Sequence, residues 1–375
     1  MRILHILNHT NASNGNVNVA VDLACIQARM GHSVDLISKG GVFDDLLATY
    51  GVEHIKIDQT RRVLTILRAI SKLRQTVQTF HPDIIHAHMM TGAVLAFLLR
   101  PFMQFKLVTT VHNEFEKSAI LMGLGERVFA VSRAVAESME RRGVSKSKLH
   151  VVINGPIGSP RLSVELPVAK TLKRPAIVFV GGLHPRKGVA DLITAFKTTA
   201  LKIPNANLYL IGSGPYLQAY RDLAAQTGVG DRIEFCGSQD DPRSYLLGAD
   251  LFVLPSHAEP GALVLPEARG SGCAIIATAV GGIPEMLDGG EAGVLVPPRS
   301  PDLLAEAMIK VLSDGNLLSD LRKRSKRNIE YFTIDRAAKE YLTHYEELLA
   351  GSPLSRTMSP PQKESGNRAI DSILR

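Results

Sequence analysis

The sequence predicts an α/β protein built from two doubly wound domains in tandem, each a parallel sheet with helices on both faces. Three observations lead there. Short apolar runs alternate with helix-length segments along the chain, the pattern of a parallel sheet with crossover helices. A stretch rich in Pro, Gly and Ser interrupts that pattern at residues 154–175, and the same alternation then restarts. The length, 375 residues, suits two domains of ordinary size.

In chain order, "RILHIL" reads as a buried strand, and a helix around Val19 to Met30 follows, ended by Gly31. "HSVDLIS", "EHIKI", "DIIHAH", "KLVTTVH", "RVFAVS" and "LHVVI" continue the strands of the first domain. After the linker come "AIVFVGG", "ANLYLIG", "RIEFCG", "DLFVLPS", "CAIIATA" and "AGVLVPP", with helices between them. Residues 301–350 read as helices alone, which their terminal place predicts to pack across both domains. The expected divisions are 1–160, 161–332, a helix over 333–350 packing back toward the first domain, and a disordered polar tail over 351–375.

Composition narrows the class. Net charge is +7, but residues 1–165 carry 19 Lys+Arg against 13 Asp+Glu, whereas 166–350 carry 20 against 21. Only the first domain is then expected to meet an anionic partner, and no nucleic-acid partner is expected. Cys25, Cys236 and Cys273 lie far apart without metal-ligand spacing, so they read as small buried residues of a reducing compartment. "MRILHILNHT" lacks the apolar core of a signal peptide, and Ala93–Leu99 is too short to span a bilayer. Cytoplasmic localisation is expected.

Ligands of open parallel sheets sit beyond the carboxyl ends of the strands, so the segments just after strands carry the candidates. "VGGLHPRKG" (180–188) places Arg186 and Lys187 on a glycine-bounded loop entering a helix. Such a loop suits a diphosphate, or is a solvated basic turn. "IGSGPY" (211–216) brings Gly212 and Gly214, which admit a planar ring close to the backbone or form an ordinary turn. "EPGALVLPE" (259–267) sets Glu259 and Glu267 eight positions apart, with Pro266 suiting the first position of a helix. The free N–H groups of that helix start favour phosphate, Glu267 suits two ribose hydroxyls, and Glu259 suits sugar hydroxyls. "GGIPE" (281–285) closes the same pocket. In the first domain, "TTVHNEF" puts His112 at a strand end, as a cleft residue or a packing one. "HAH" (86–88) places two imidazoles on one strand face, but no third metal ligand is apparent. "NASNGNVN" (11–18) carries Gly15, whose bare backbone suits a close ligand.

Taken in order, these blocks resemble the retaining nucleotide-sugar glycosyltransferases of family 4, with the GT-B architecture of two Rossmann-like domains facing a cleft. The similarity runs from residue 1 to about 350, and Glu259 and Glu267 match the family's E-x7-E signature. The resemblance implies that Glu267 grips ribose, Glu259 the donor-sugar hydroxyls, and the backbone of Gly261, Ala262, Leu263 and Val264 the sugar and phosphates. It implies that Lys187 neutralises the diphosphate, that His112 lies near the transferring sugar, and that no metal or other cofactor is needed. The chain departs from the family where Gly261-Ala262 replaces Phe-Gly, where Gly182 replaces an Arg, and where Asn14-Gly15 replaces two glycines. Arg186 is placed to restore the missing charge.

The expected function is transfer of a sugar from a UDP- or GDP-sugar to an acceptor hydroxyl with the anomeric configuration kept. The resemblance adds a saccharide or lipid-linked acceptor and a setting in envelope polysaccharide or glycolipid synthesis. A catalytically weak relative that binds the donor or assists a partner is the alternative. A glycoside hydrolase using Glu259 and Glu267 as acid and base leaves the basic loop and glycine turns unexplained. One surface question remains open. Within 61–78, Val63, Ile66, Leu67, Ile70, Leu73 and Val77 share a helical face flanked by arginines. That helix either covers the sheet or docks on anionic lipid.

Overall fold

The computed structural model describes residues 1–11 and 14–351. The expected tail, apart from Gly351, and Ala12 and Ser13 of the first loop lie outside the described residues. The chain divides into two compact units, one of Met1–Leu162 with residues 331–351, the other Ser163–Glu330.

Seven parallel strands form the sheet of the first unit: β1 (Arg2–Ile6), β2 (Ser33–Ser38), β3 (Glu53–Lys56), β4 (Ile84–Ala87), β5 (Lys106–Val111), β6 (Arg127–Ala130) and β7 (Leu149–Val151). Their order is β3-β2-β1-β4-β5-β6-β7, so the strand order reverses between β1 and β4. Helices α1 (Gly15–Arg29), α2 (Asp44–Thr49), α3 (Val63–Phe80), α4 (Met90–Leu99) and α5 (Arg133–Arg141) supply the crossovers. Side chains alternate between two buried faces, as in any strand covered on both sides. Ile3 and Ile84 pack into the core under α1, whereas Leu4, Ile6, Ile85 and Ala87 pack into the core under α3, α4 and α5.

Six parallel strands form the second sheet: β8 (Ala176–Val180), β9 (Asn207–Ile211), β10 (Ile233–Gly237), β11 (Leu251–Leu254), β12 (Ala274–Thr278) and β13 (Val294–Val296), ordered β10-β9-β8-β11-β12-β13. Here the reversal falls between β8 and β11. The helices are α6 (Val189–Lys202), α7 (Leu217–Gln226), α8 (Arg243–Gly248), α9 (Val264–Gly270), α10 (Ile283–Met286), α11 (Pro301–Ser313) and α12 (Gly315–Ser325). The last helix, α13 (Ile334–Ala350), belongs to the first unit. The three terminal helices therefore separate. α11 packs on α6 and α12 on β12, whereas α13 packs on α1. Ile334, Ala338, Tyr341 and Tyr345 are buried there at helical spacing. Arg127 of β6 ties α13 down by donating to Glu347 at 2.8 Å and to the His344 carbonyl at 2.8 Å.

Three sequence expectations change. Residues 154–162 are not free linker. Asn154 is buried, Ser159 Oγ donates to Asp22 at 2.8 Å, and Arg161 donates to the same carboxylate through Nε at 2.8 Å and Nη2 at 3.0 Å. Cys25 and Cys273 are buried, but Cys236 is partly exposed, because β10 is an edge strand. In α3 the stripe splits: Leu73 and Val77 are core, Ile66 and Ile70 pack at its margin, and Val63, Leu64 and Leu67 are exposed. The first turns of α3 thus extend past the layer that the rest of the helix covers. Among the described residues, no helix is long and apolar enough to cross a membrane.

The buried Asp22 carboxylate, whose pKa burial pushes upward against the lowering effect of Arg161, makes the Asp22–Arg161 pair a stability determinant. Arg161→Ala should destabilise the protein by about 3–5 kcal/mol at neutral pH, because an uncompensated charge stays buried. Without Arg161 the folded pKa rises further. The loss should shrink as pH falls through it, since protonation removes that charge. Urea unfolding at pH 7 and pH 5 measures both.

Candidate functional site

In the second unit the candidates collect beyond β8 and β11, at the reversal of strand order, where such sheets bind ligands. After β8 the chain makes a short turn over Pro185–Lys187, and Gly188 closes it at φ +67°. That loop lies against the segment after β11. A Cβ on Gly188 would stand 1.9 Å from the Pro255 carbonyl oxygen, so no other residue fits without movement. His257 N donates to the Arg186 carbonyl at 2.7 Å, and Arg186 Nη1 donates to the Ala258 carbonyl at 3.0 Å. The consequence is an ion pair between Lys187 Nζ and Glu259 Oε2, with both side chains largely buried. Ser256 Oγ donates to the same carboxylate oxygen at 3.2 Å. The loop after β12 closes over Glu259: Gly282 N donates to its carbonyl at 2.9 Å, and a Cβ on Gly281, at φ +54°, would lie 2.0 Å from that oxygen. "VGGLHPRKG", "EPGALVLPE" and "GGIPE", distant in sequence, are thus one cluster.

Gly212 and Gly214 stand beside it in a different capacity. A Cβ on Gly212 would meet the Gly181 carbonyl at 2.0 Å, and one on Gly214 the Leu183 carbonyl at 2.5 Å. Leu183 N donates to the Ser213 carbonyl at 2.9 Å. Their missing side chains let the loops after β8 and β9 touch. At Gly182 the crowding is only the His184 ring, whose Cδ2 would be 2.8 Å from a Cβ. Gly261, Ala262, Leu263 and Val264 lead into α9, which begins at Val264. Pro266 is therefore its third residue rather than its first, still within the turn whose N–H groups have no helical partner. Glu267 follows in the same turn, partly exposed, and its charge acts on Arg243. Fully buried Arg269 anchors α9 by donating to the Ser325 carbonyl and to Asp288, each at 2.9 Å.

In the first unit His112 follows β5, buried but not sealed. Sequence reasoning found its neighbours only in part. His86 and His88 do share a sheet face, and a third imidazole joins them: His5 of β1, in register with His86. Nitrogens of His5, His86 and His88 lie within 4.8 Å of one another, so the missing third ligand exists. These nitrogens are already engaged. His5 bonds His88 at 2.9 Å and Gln27 at 2.9 Å, and His88 bonds His112 at 3.1 Å. His86 bonds Thr110 at 2.7 Å and Tyr345 at 2.6 Å. Burial lowers the pKa of His5 to about 4, that of His112 to about 3, and those of His86 and His88 well below the ordinary value. The cluster is a neutral hydrogen-bonded network. The missed signal was parity: His5, His86, His88, Thr110 and His112 fall on one face of adjacent strands once β1, β4 and β5 are neighbours. Gly15 is the exposed first residue of α1, which Asn14 caps by accepting from Asn16 N at 3.1 Å. Close by, a cavity of about 560 Å³ is lined mainly by polar residues from the loops after β1, β2 and β3, among them Asn8, Lys39, Asp58, Gln59 and Arg61.

Two family models match in tandem: "Glycosyltransferase Family 4" over residues 13–155 and "Glycosyl transferases group 1" over 167–328. The chain belongs to the family 4 glycosyltransferases. This glycosyltransferase is 26% identical over 305 residues to N-acetyl-alpha-D-glucosaminyl L-malate synthase of Bacillus anthracis, covering 76% of the chain and 79% of that protein. It is 34% identical over 151 residues to a GDP-mannose-dependent alpha-(1-6)-phosphatidylinositol monomannoside mannosyltransferase of Mycobacterium tuberculosis, covering 38% of the chain and 39% of the relative. Its fold is that of Anabaena HepE, solved with UDP and glucose, with a TM-score of 0.80 and 18% identity over 92% of this chain and all of that one. The architecture is GT-B.

Because Gly188 combines positive φ with contact to Pro255, Gly188→Ala should cost about 2–4 kcal/mol of stability. Denaturant unfolding checks this loss.

Proposed function

We propose that this glycosyltransferase moves a sugar from a UDP- or GDP-sugar to an acceptor hydroxyl with retention of anomeric configuration, and needs no bound metal or other cofactor. The observation carrying this reading is the ion pair of Lys187 with Glu259 on a loop that only Gly188 can close. It supplies a partly shielded cation for a diphosphate beside a carboxylate pre-set for sugar hydroxyls. Arg186 adds positive charge to the same loop, although its side chain also braces the Ala258 carbonyl. Glu267 takes the ribose hydroxyls, and the backbone from Gly261 to Val264 takes the sugar and phosphates. Gly212 and Gly214 shape the floor by letting their loops meet. His112 faces the donor sugar, and Gly15 leaves room beside α1.

In the reaction the bond from the anomeric carbon to the diphosphate oxygen breaks, with its electron pair leaving on the nucleoside diphosphate. The acceptor oxygen forms the new bond on the vacated face. Its proton passes to a phosphate oxygen of the leaving group, so no protein base is required. Lys187 stabilises the charge that develops on the diphosphate, where a preorganised donor is worth about 3 kcal/mol. The polar cavity lined by Asn8, Lys39 and Gln59 is our candidate seat for a hydroxylated acceptor.

The acceptor reading extends to the membrane. Val63, Leu64 and Leu67 of α3 are exposed and lie close in sequence to Arg61, Arg62 and Arg68; Phe97 and Leu98 of α4 are exposed as well. Exposed apolar side chains with arginines among them in the helix sequence suit an anionic bilayer, and a lipid-linked acceptor in envelope glycan synthesis would be met there. A partner role without catalysis would appear as donor binding with no transfer.

A thermal-shift and turnover screen with UDP-glucose, UDP-N-acetylglucosamine and GDP-mannose identifies the donor. Lys187→Ala should then lower transfer about 100-fold or more; undiminished turnover overturns the assignment. For the surface, the protein should float with vesicles containing phosphatidylglycerol and be released by salt. Leu64→Glu with Leu67→Glu should abolish flotation, and a protein that never floats refutes the membrane reading.

A further inference from the structure

We propose that Gln27, His5 and His88 are positioning residues that hold His112 in its Nε2–H tautomer, so that Nδ1 presents a hydrogen-bond acceptor to the donor sugar. The functional half rests on the reading that His112 meets that sugar. The relay itself rests on hydrogen-bond logic.

The chain of bonds has one proton arrangement. At one end Gln27 of α1 turns its carbonyl oxygen, Oε1, to His5 Nε2 at 2.9 Å. A carbonyl oxygen only accepts, so His5 Nε2 carries hydrogen. A neutral imidazole has one N–H, so His5 Nδ1 is the acceptor, and His88 Nε2 donates to it at 2.9 Å. His88 Nδ1 must then accept, and the hydrogen between it and His112 Nε2, 3.1 Å apart, belongs to His112. His112 Nδ1 keeps a bare lone pair and has no hydrogen-bond partner among the described residues. Deep burial keeps His5, His88 and His112 neutral, each with a lowered pKa, so the one-proton rule holds at every ring.

The amide of Gln27 is the point where the direction is set. Its Nε2 is buried without a hydrogen-bond partner of ordinary geometry; the nearby Tyr345 hydroxyl feels the amide, which acts to lower its pKa. Turning the amide over would put a donor against His5 and reverse every proton, leaving His112 with Nδ1–H. Tyr345 lies on the other branch of the network, bonded to His86 at 2.6 Å, and His86 continues to Thr110 at 2.7 Å. That branch does not pass through His112. Thr110, at the far end of that branch, provides a matched control: Thr110→Val removes a buried hydrogen bond without touching the relay.

The purpose follows from charge. Sugar transfer builds positive charge on the donor ring, and an imidazolium or N–H dipole pointed at it would oppose that charge. A neutral acceptor instead takes a hydroxyl hydrogen from the sugar and leaves the hydroxyl oxygen richer in electrons. A sugar lacking that hydroxyl leaves Nδ1 without a partner in the bound state, so the relay also selects donors.

The test is imidazole nitrogen NMR on the full chain labelled with ¹⁵N-histidine, with His112 assigned by His112→Asn. In the wild type, His112 should show Nε2 in the protonated range and Nδ1 in the unprotonated range. Gln27→Leu should move both toward the average of two tautomers, and Thr110→Val should leave them in place. With the sugar nucleotide that supports turnover among UDP-glucose, UDP-N-acetylglucosamine and GDP-mannose, Gln27→Leu should raise donor KM about 3- to 10-fold, whereas Thr110→Val should not. A wild-type His112 protonated on Nδ1, or a tautomer indifferent to Gln27→Leu, overturns the relay. A relay seen by NMR alongside unchanged KM in Gln27→Leu overturns its role toward the sugar. Loss of the sugar-transfer reading itself shows separately, as no turnover with any of the three.

Discussion

The ion pair of Lys187 with Glu259 is the constraint around which the second unit is arranged. Neither charge is held in open water, and each would be costly alone. Keeping them together requires two loops, after β8 and β11, to touch through their backbones. The left-handed Gly188 against Pro255 makes that contact, and Gly281 brings a third loop onto the carbonyl of Glu259. Charge pairing and glycine placement are therefore one requirement. The charges give the loops a reason to meet, and the glycines remove the side chains that would keep them apart.

In the proposed reaction the same pairing sets the chemistry. A lysine already matched to a carboxylate is a poor trap for stray anions, yet a diphosphate brings enough charge to share it. Ser256 and Lys187 both use Oε2 of Glu259, which orients the carboxylate before any ligand arrives. Preorganisation of this type avoids reorienting dipoles during the reaction. The first unit solves a different problem with the opposite means. Burial lowers the pKa of His86, His88 and His112, and in the proposed relay direction comes from which atom holds each hydrogen.

Much of this was legible in the chain. Short continuous apolar runs separated by helix-length segments specify parallel sheets covered on both faces, and the strands named from sequence are those observed. Lys187, Glu259 and the "GGIPE" loop were identifiable because each follows a strand. Other features escaped for physical reasons. Cys236 is exposed because β10 lies at an edge, and edge position is a property of strand order. Part of the apolar stripe of α3 faces outward because periodicity shows a helix face but not where its cover ends. Gly212 and Gly214 were equally compatible with a ligand or a turn until their neighbours, the carbonyls of Gly181 and Leu183, were known.

His5 marks the boundary most clearly. The sequence by itself determined that "RILHIL" is a strand, that "HAH" places two imidazoles on one face, and that basic and acidic loop residues flank strand ends. Those features depend on local periodicity and on chemistry carried by single residues. Only the tertiary structure decided that β1 lies beside β4, that Gln27 and Tyr345 descend on that face from helices far apart in the chain, and that Lys187 finds Glu259 across 72 positions. Strand order, loop contact and burial arise from interactions between distant segments, and no window along the sequence contains both partners.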